Sequence, residues 1–442
     1  MFDLPKYGDG IGLARLSELL VALKIDRIWL SRISVVVTGS NGKGSTAAFC
    51  AAIARAWGLR TGLFTSPHLF RFNERIQING EPIGDEDWRR HRDKVMTTLD
   101  RISRRRGEGF GSFEAMFALA CLHFKERACE FAVFEAGIGG RFDPVRLVCS
   151  SITTVTSVDL EHVELLGNSL QAICSDKSDA CAAPGAIIYG ENCRPLRAHI
   201  LEYNRSREIR SLFVRDEIGI ANEATSASAQ HFDLTFSGQT FCGLETSLIG
   251  SFQFNNAAIA ATLFLLWQQQ NRPPHTADHT ADENEAALRT GLRLASWPGR
   301  LETISQDPLT VIDVGHTPDG IRQSLDSLKA IHGEQGWVLV TGVSFNKNIA
   351  EIVNALAPSF GQIVCTSAHH KGADASEIAQ AARKAHPAAM VHIARDVADS
   401  VRISREIARI SNRKIYVAGG LFLAVEYAAV VQGRALEELS FY

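Results

Sequence analysis

The sequence predicts an α/β protein in which a larger domain built on a parallel sheet is followed by a smaller Rossmann-like α/β domain. Two observations predict this fold. Apolar strand-like runs alternate with amphipathic helix-like runs over residues 33–181, and the alternation restarts over residues 310–418. A glycine-rich turn at residues 39–46 also separates a buried strand from a helix. We expect the first domain to span residues 1–296 and the second residues 297–442.

Composition indicates an ordinary globular protein. The 442 residues are 45% hydrophobic and 21% charged. The net charge of −3 gives no bulk attraction to nucleic acid or to an anionic membrane. The nine scattered cysteines, the lack of a signal-peptide pattern and the shortness of the longest apolar run, residues 257–267, favour a cytoplasmic protein. We expect a monomer with no nucleic-acid or membrane partner.

The glycine-rich turn has the chemistry of a nucleotide site. Gly39, Gly42 and Gly44 let backbone N–H groups approach an anion, and a helix beginning near Ser45 adds its dipole. Lys43 can reach phosphate oxygens, and the Ser45 hydroxyl can bind Mg²⁺. The spacing departs from G-x-x-x-x-G-K-[ST], because Gly44 separates the lysine from the serine. The strand before the turn and the Lys-x-Ser after it favour a P-loop-like nucleotide-phosphate site over a simple turn.

The remaining elements follow from the same periodicities. Helices are expected at residues 13–24, 45–57, 85–106, 113–126, 169–181 and 250–268, and first-domain strands at 33–38, 61–64, 131–135 and 152–157. Short strands with turns are expected over residues 186–248, a polar exposed loop over 268–285 and a linker at 297–300. Second-domain strands are expected at residues 310–313, 337–341, 363–366, 390–393 and 414–418.

Several polar residues follow strands of the predicted sheets, where ligands usually bind in open α/β folds. Glu135 ends one strand, and it is either a Mg²⁺ partner or a solvated strand end. His162 follows the next strand, and its residue type alone leaves a structural and a ligand role open. Lys177 lies on a helix and is expected, from position alone, to be solvated.

An ordered set of motifs then covers nearly the whole chain. It comprises residues 38–45, 66–69, 74–76, 113–114, 135–143, 162–167 and 298–302. This set resembles the folylpolyglutamate synthase/dihydrofolate synthase family of the Mur ligase superfamily. The resemblance implies a P-loop ATP-binding domain followed by a C-terminal ligase domain. It also implies ATP-dependent amide formation, in which glutamate is added to a folate or pteroate carboxylate through an acyl phosphate.

The resemblance implies roles for individual residues. Lys43, Lys177 and His316 would be catalytic, with Lys177 carbamylated. Ser45, Glu135 and His162 would hold Mg²⁺. ATP would contact Gly39, Asn41, Gly42, Lys43, Gly44, Ser45, Thr46, Gln253, Asn256, Arg300 and Asp313. Ser66, Pro67, His68 and Asp143 would border the pterin-bearing substrate.

The chain departs from the family pattern mainly near the two organic substrates. Pro144–Arg146 replaces the family's [Ala/Ser]-Thr-Asn, Thr317 replaces an asparagine, and Gly420 replaces a serine. These changes leave open a ligase that joins another amino acid to a non-folate acid. A third hypothesis is a nucleotide-binding P-loop regulator or kinase, against which the second α/β domain with Arg300, Asp313 and His316 argues.

Overall fold

The structure is a computed structural model that describes residues 4–226, 228–271, 281–439 and 441. Its first part contains the helices α1 (Leu13–Ala22), α2 (Arg27–Ile33), α3 (Lys43–Ala56), α4 (Asp85–Arg106), α5 (Ser112–Glu126), α6 (Val163–Leu166), α7 (Leu170–Ser178), α8 (Arg197–Arg205), α9 (Phe252–Asn271) and α10 (Ala281–Leu294). The strands are β1 (Ser34–Thr38), β2 (Thr61–Phe64), β3 (Ile76–Ile78), β4 (Glu81–Pro82), β5 (Phe131–Glu135), β6 (Ile152–Val155), β7 (Gly185–Tyr189), β8 (Ile209–Phe213), β9 (Ile218–Thr225), β10 (Gln230–Phe236) and β11 (Gln239–Thr246).

Eight of these strands form one sheet in the order β4-β3-β2-β5-β1-β6-β7-β8. Its pairs are parallel except at the edge formed by β3 and β4. Alternate side chains of β1 enter two cores: Val35 and Val37 pack in the core that includes α3 and α9, and Val36 packs in the one that includes α1 and α5. The sheet is therefore covered on both faces, which explains its nearly continuous apolar strands. Strands β9 to β11 form a separate antiparallel sheet.

The second part contains the strands β12 (Glu302–Gln306), β13 (Leu309–Ile312), β14 (Trp337–Thr341), β15 (Gln362–Cys365), β16 (Met390–Ile393) and β17 (Lys414–Ala418). Its helices are α11 (Pro318–His332), α12 (Ile349–Leu356), α13 (Ala375–Ala385), α14 (Val397–Ser411) and α15 (Leu421–Val431). The sheet order is β12-β13-β17-β14-β15-β16, with only the β12–β13 pair antiparallel. We propose the domain boundary at residues 296/297, which lies between the first two sheets and this third one.

The predicted α/β architecture is confirmed, and several local expectations need correction. The helix after the glycine-rich turn begins at Lys43, two residues earlier than expected. The region 186–248 contains α8 as well as strands. Residues 268–271 and 281–285 of the expected loop are helical, because they extend α9 and begin α10. Most of the His-Thr-Ala-Asp repeat lies outside the described residues. In the part of the chain that the structure describes, no helix is both long and apolar enough to cross a membrane.

Candidate active site

The glycine-rich turn is a tight loop between β1 and α3. Gly39 and Gly42 have φ angles of +139° and +84°, which residues other than glycine rarely adopt. A Cβ on Gly39 would lie 1.9 Å from Thr156 Oγ1. Lys43 Nζ donates to the carbonyl oxygens of Gly39 at 2.8 Å and Ser40 at 3.2 Å, so its side chain lies over the loop. The N-terminus of α3 points into this loop, which is the geometry of a phosphate site.

Two buried amides of α9 pack against the loop. Gln253 Nε2 donates to Ser45 Oγ at 3.4 Å, and Asn256 Nδ2 donates to Gln253 Oε1 at 2.9 Å. A Cβ on Gly42 would lie 2.5 Å from Asn256 Oδ1. Gly44 faces the indole of Trp297, to which a Cβ would come within 2.6 Å. The predicted residues Ser45, Gln253 and Asn256 therefore meet at the loop, and Thr46 is buried in the first turn of α3.

Glu135 lies beside the loop because β1 and β5 are paired, with Val37 opposite Glu135. Its side chain is 3% exposed, so the alternative of a solvated strand end is wrong. Burial raises the pKa of Glu135 to about 7, against the opposing charges of Lys43, Arg300 and Arg75. One carboxylate oxygen also accepts from the backbone N–H of Ser66 at 3.0 Å.

His162 and Lys177 lie on the neighbouring side of the loop. His162 precedes α6 with φ +44°, and burial lowers its pKa together with the charges of Lys347, Lys177 and Lys43. Lys177 is 1% exposed, which corrects the expectation that it is solvated. Its Nζ donates to Glu161 Oε1 at 2.7 Å. Burial opposes ionisation of Glu161, but the Lys177 ammonium holds the pKa of this carboxyl at about 2.

The second domain contributes Arg300, Asp313 and His316. Asp313 is buried, and its carboxylate accepts from the backbone N–H groups of Gly315 at 2.8 Å and Leu301 at 3.1 Å. Burial raises the pKa of Asp313, whereas the charge of Arg300 lowers it. Arg300 acts in the same way on Glu135 of the first domain, so this guanidinium lies where the two domains face each other.

The residues predicted to border the acid substrate are mostly engaged in internal bonds. Asp143 Oδ2 accepts from the N–H groups of Gly137 and Ile138, and Oδ1 accepts from that of Val145. His68 is buried, and its Nδ1 accepts from Arg75 Nε at 2.8 Å. Ser66 is half-buried and Pro67 exposed, so they are the more accessible members of this set.

Some residues at the site were not predicted from sequence. Glu161 pairs with Lys177, Lys347 lies near His162 and His316, and Asp159 binds Asn41. The position of Glu161 directly before His162 was the available signal, because both follow the same strand. Within the described residues, no group of three or more His, Cys, Asp or Glu side chains could hold a metal ion by itself.

Comparison with known proteins decides the family. A model of the Mur ligase glutamate ligase domain matches residues 299–420. The dihydrofolate synthase/folylpolyglutamate synthase of Bacillus subtilis is 31% identical over 326 residues, which are 73% of this chain and 73% of that protein. This chain belongs to the folylpolyglutamate synthase/dihydrofolate synthase family.

Solved structures of folylpolyglutamate synthases share the fold over nearly the whole chain. The apo form of the L. casei enzyme has a TM-score of 0.82 at 26% identity and covers 97% of both chains. A folylpolyglutamate synthase complex with AMPPCP and folate has a TM-score of 0.79 at 27% identity, covering 98% of this chain and 97% of the other. The Mur ligase fold implied by the sequence motifs is thereby confirmed.

Proposed function

We propose that this protein is an ATP-dependent ligase that joins glutamate to the carboxylate of a folate or a pteroate. The observation that carries the proposal is that the charges of Lys43 and Arg300, one from each domain, both act on the buried Glu135 carboxylate beside the glycine-rich turn. Membership of the folylpolyglutamate synthase/dihydrofolate synthase family and the AMPPCP-folate complex of a structural relative support it. A cytoplasmic location and a monomeric state are part of the proposal.

ATP would lie between the two domains. Gly39, Asn41, Gly42, Gly44, Ser45 and Thr46 would surround its phosphates, with Lys43 on the β- and γ-phosphates. Gln253 and Asn256 would lie on the adenine side, where their amides already meet the loop. Arg300, Asp313 and His316 would contact the nucleotide from the second domain. Ser66, Pro67, His68 and Asp143 would border the acid, with Ser66 and Pro67 making the direct contacts.

The donor set fits Mg²⁺ bound together with ATP. Ser45 supplies a hydroxyl and Glu135 a carboxylate, which are oxygen ligands of the kind that Mg²⁺ prefers. His162 is the third proposed ligand. Mg²⁺ usually takes one or two carboxylates and completes its sphere with substrate phosphates and water, so a site without three acidic or imidazole ligands remains suitable. When bound, the ion would neutralise charge on the transferring phosphoryl group.

The proposed chemistry has two steps. An oxygen of the substrate carboxylate attacks the γ-phosphorus in line, the bond to the bridging oxygen of ADP breaks, and an acyl phosphate forms. The amine of glutamate then attacks the acyl carbon, phosphate leaves, and the amine loses a proton. Lys43 holds the γ-phosphoryl oxygens during the first step, and the facing domains exclude water from the acyl phosphate.

Carbamylation of Lys177 is a separate part of the proposal. Burial lowers the pKa of Lys177 and so favours the neutral amine that reacts with CO₂. A carbamate there would lie against the Glu161 carboxylate, so a cation would have to join the two anions. Native mass measurement at neutral pH, in bicarbonate with Mg²⁺ and AMPPCP, tests this, because acid would release CO₂ from a carbamate. An added mass of one CO₂ that Lys177→Ala abolishes would support the carbamate, and an unmodified mass would exclude it.

The function is tested with ATP, glutamate and either dihydropteroate or tetrahydrofolate, followed by mass spectrometry. We expect a product heavier by one glutamyl residue, and ADP in equal amount. Product formed only with another acid or another amino acid would instead favour the specialised ligase that the changes at Pro144–Arg146, Thr317 and Gly420 leave open. ATP turnover without any amide product would contradict the ligase function itself.

A further inference from the structure

The side chain of Thr317 joins the second domain to the phosphate loop. Its Oγ1 lies 3.2 Å from Asn41 Oδ1, although the two residues are 276 positions apart in the sequence. The same Oγ1 accepts from the backbone N–H of Gly320 at 3.2 Å, as the N-cap of α11. One hydroxyl therefore both caps a second-domain helix and touches the loop that would hold the phosphates.

Asn41 is held firmly on the first-domain side. Its Nδ2 donates to Asp159 Oδ2 at 2.9 Å, and its backbone N–H donates to Ser157 Oγ at 2.8 Å. An ionised carboxylate only accepts hydrogen bonds, so the amide nitrogen of Asn41 must face Asp159. Its Oδ1 then faces Thr317, and the threonine hydroxyl must be the donor. The donor and the acceptor of each hydrogen bond from Asp159 to Thr317 are thus determined by the Asp159 carboxylate, which can only accept.

We propose that Asp159, Asn41 and Thr317 form an interdomain latch that holds the N-terminus of α11 over the phosphate loop. Thr317 is then a positioning residue. It directly follows the segment Asp313–His316 that would contact ATP, so the latch sets the distance between that segment and the loop. The inference rests on the proposed function only because it takes ATP as the ligand shared by the two domains.

Other contacts hold the domains together without fixing this distance. Ser327, farther along α11, accepts from the backbone N–H of Ser251 at 3.0 Å. The guanidinium of Arg434 lies 5.0 Å from the ring centre of Phe70. Loss of the Thr317 hydroxyl would leave these contacts intact and release only the N-terminal end of α11. The consequence is poorer alignment of the nucleotide site, with the domains still in contact.

The first test compares AMPPCP affinity, measured by calorimetry with Mg²⁺, among three variants. Thr317→Val keeps the shape but removes the hydroxyl, and we expect about fivefold weaker binding, the size expected for one lost hydrogen bond. Thr317→Ser keeps the hydroxyl and should bind within about twofold of the parent protein. Asp374→Ala removes the exposed N-cap of α13, so it should lower the Tm but leave the affinity unchanged. Thr317→Val with unchanged affinity and a Tm loss like that of Asp374→Ala would reduce Thr317 to a helix cap and overturn the latch.

The second test combines substitutions at both ends of this hydrogen-bond chain, Asp159→Ala and Thr317→Val. Asp159→Ala frees the amide of Asn41 and should also weaken AMPPCP about fivefold, because the same bond to Thr317 is lost. If both substitutions act through the same hydrogen bonds, the double variant should bind AMPPCP about as well as either single variant. Multiplied losses would show two independent effects and contradict the latch. Product formation is not used here, so a failure to glutamylate would count against the proposed function alone.

Discussion

The proposed nucleotide site at the glycine-rich turn (the nucleotide side) and the residues proposed to border the acid (the acid side) use their polar groups in different ways. On the nucleotide side, Lys43 of α3 and the amides Gln253 and Asn256 of α9 meet at one loop. On the acid side, Asp143 caps three backbone N–H groups and His68 accepts from Arg75. Matching motifs thus bring side chains together at one loop on the first side and form local internal hydrogen bonds on the other. Substrate choice would then depend on neighbouring groups, which include residues that depart from the family pattern.

Lys43→Ala should have the largest effect, because a preorganised charge on the transferring phosphoryl group would be lost. We expect product formation to fall about 1,000-fold. The Tm should hardly change, since within the described residues the hydrogen bonds of Lys43 Nζ go to two loop carbonyls. Lys384→Ala, on the exposed face of α13, is the control and should retain full activity. Unimpaired ligation by Lys43→Ala would mean that the phosphates bind elsewhere.

Asp143→Ala tests the acid side. Three backbone N–H groups would lose their acceptor in a buried place, so the free energy of unfolding in urea should fall by about 4 kcal/mol. Asp26→Ala removes an exposed cap that accepts one N–H, and should cost about 1 kcal/mol.

The acid side would resemble the nucleotide side after all if Asp143→Ala kept its stability but raised the KM for the acid. Asp143 would then be the substrate residue that its motif implies.

Sequence periodicity was a good guide where burial dictates the pattern. The predicted bounds of α4, β5, β14 and β17 agree with the structure, because each is a long amphipathic or continuously apolar run. Strand β12, which pairs with the predicted β13, and helix α8 were missed, since short elements give weak periodic signals. Contacts between distant residues, such as that of Asn41 with Thr317, were beyond sequence reasoning because the closing of two domains creates them.

Acid pH should destabilise the protein through a buried histidine outside the proposed site, so a loss of stability in acid does not by itself report on the site. Burial lowers the pKa of His123 to about 4, and its Nδ1 lies 3.1 Å from His91 Nε2. The unfolded chain binds this proton near pH 6.5 and the folded one does not, so about 3 kcal/mol of stability should be lost between about pH 6.5 and 4.

Urea unfolding across this pH range measures the effect. His123→Gln should flatten the dependence, and His231→Gln, at an exposed position, should leave it unchanged. An unaltered slope in His123→Gln would assign the acid sensitivity to other groups.

Gly42→Ala should have the smallest effect, and it tests whether the close approach of the glycine-rich turn to Asn256 matters for the nucleotide. The positive φ disfavours alanine by about 1 kcal/mol, and the new Cβ would push on Asn256 Oδ1. We expect AMPPCP to bind about tenfold more weakly. Gly58→Ala is the matched control, because its φ is also positive but nothing lies near its Cβ. Equal affinity in both variants would show that the contact with Asn256 is irrelevant to the nucleotide.

The proposed ligase activates an acid by transferring a phosphoryl group to its carboxylate. A direct test uses an acid substrate with ¹⁸O at both carboxylate oxygens, together with ATP, Mg²⁺ and glutamate, followed by mass analysis of the inorganic phosphate. Attack of the carboxylate on the γ-phosphorus predicts one ¹⁸O in each phosphate released with the amide. Amide formation with unlabelled phosphate would contradict phosphoryl transfer to the acid.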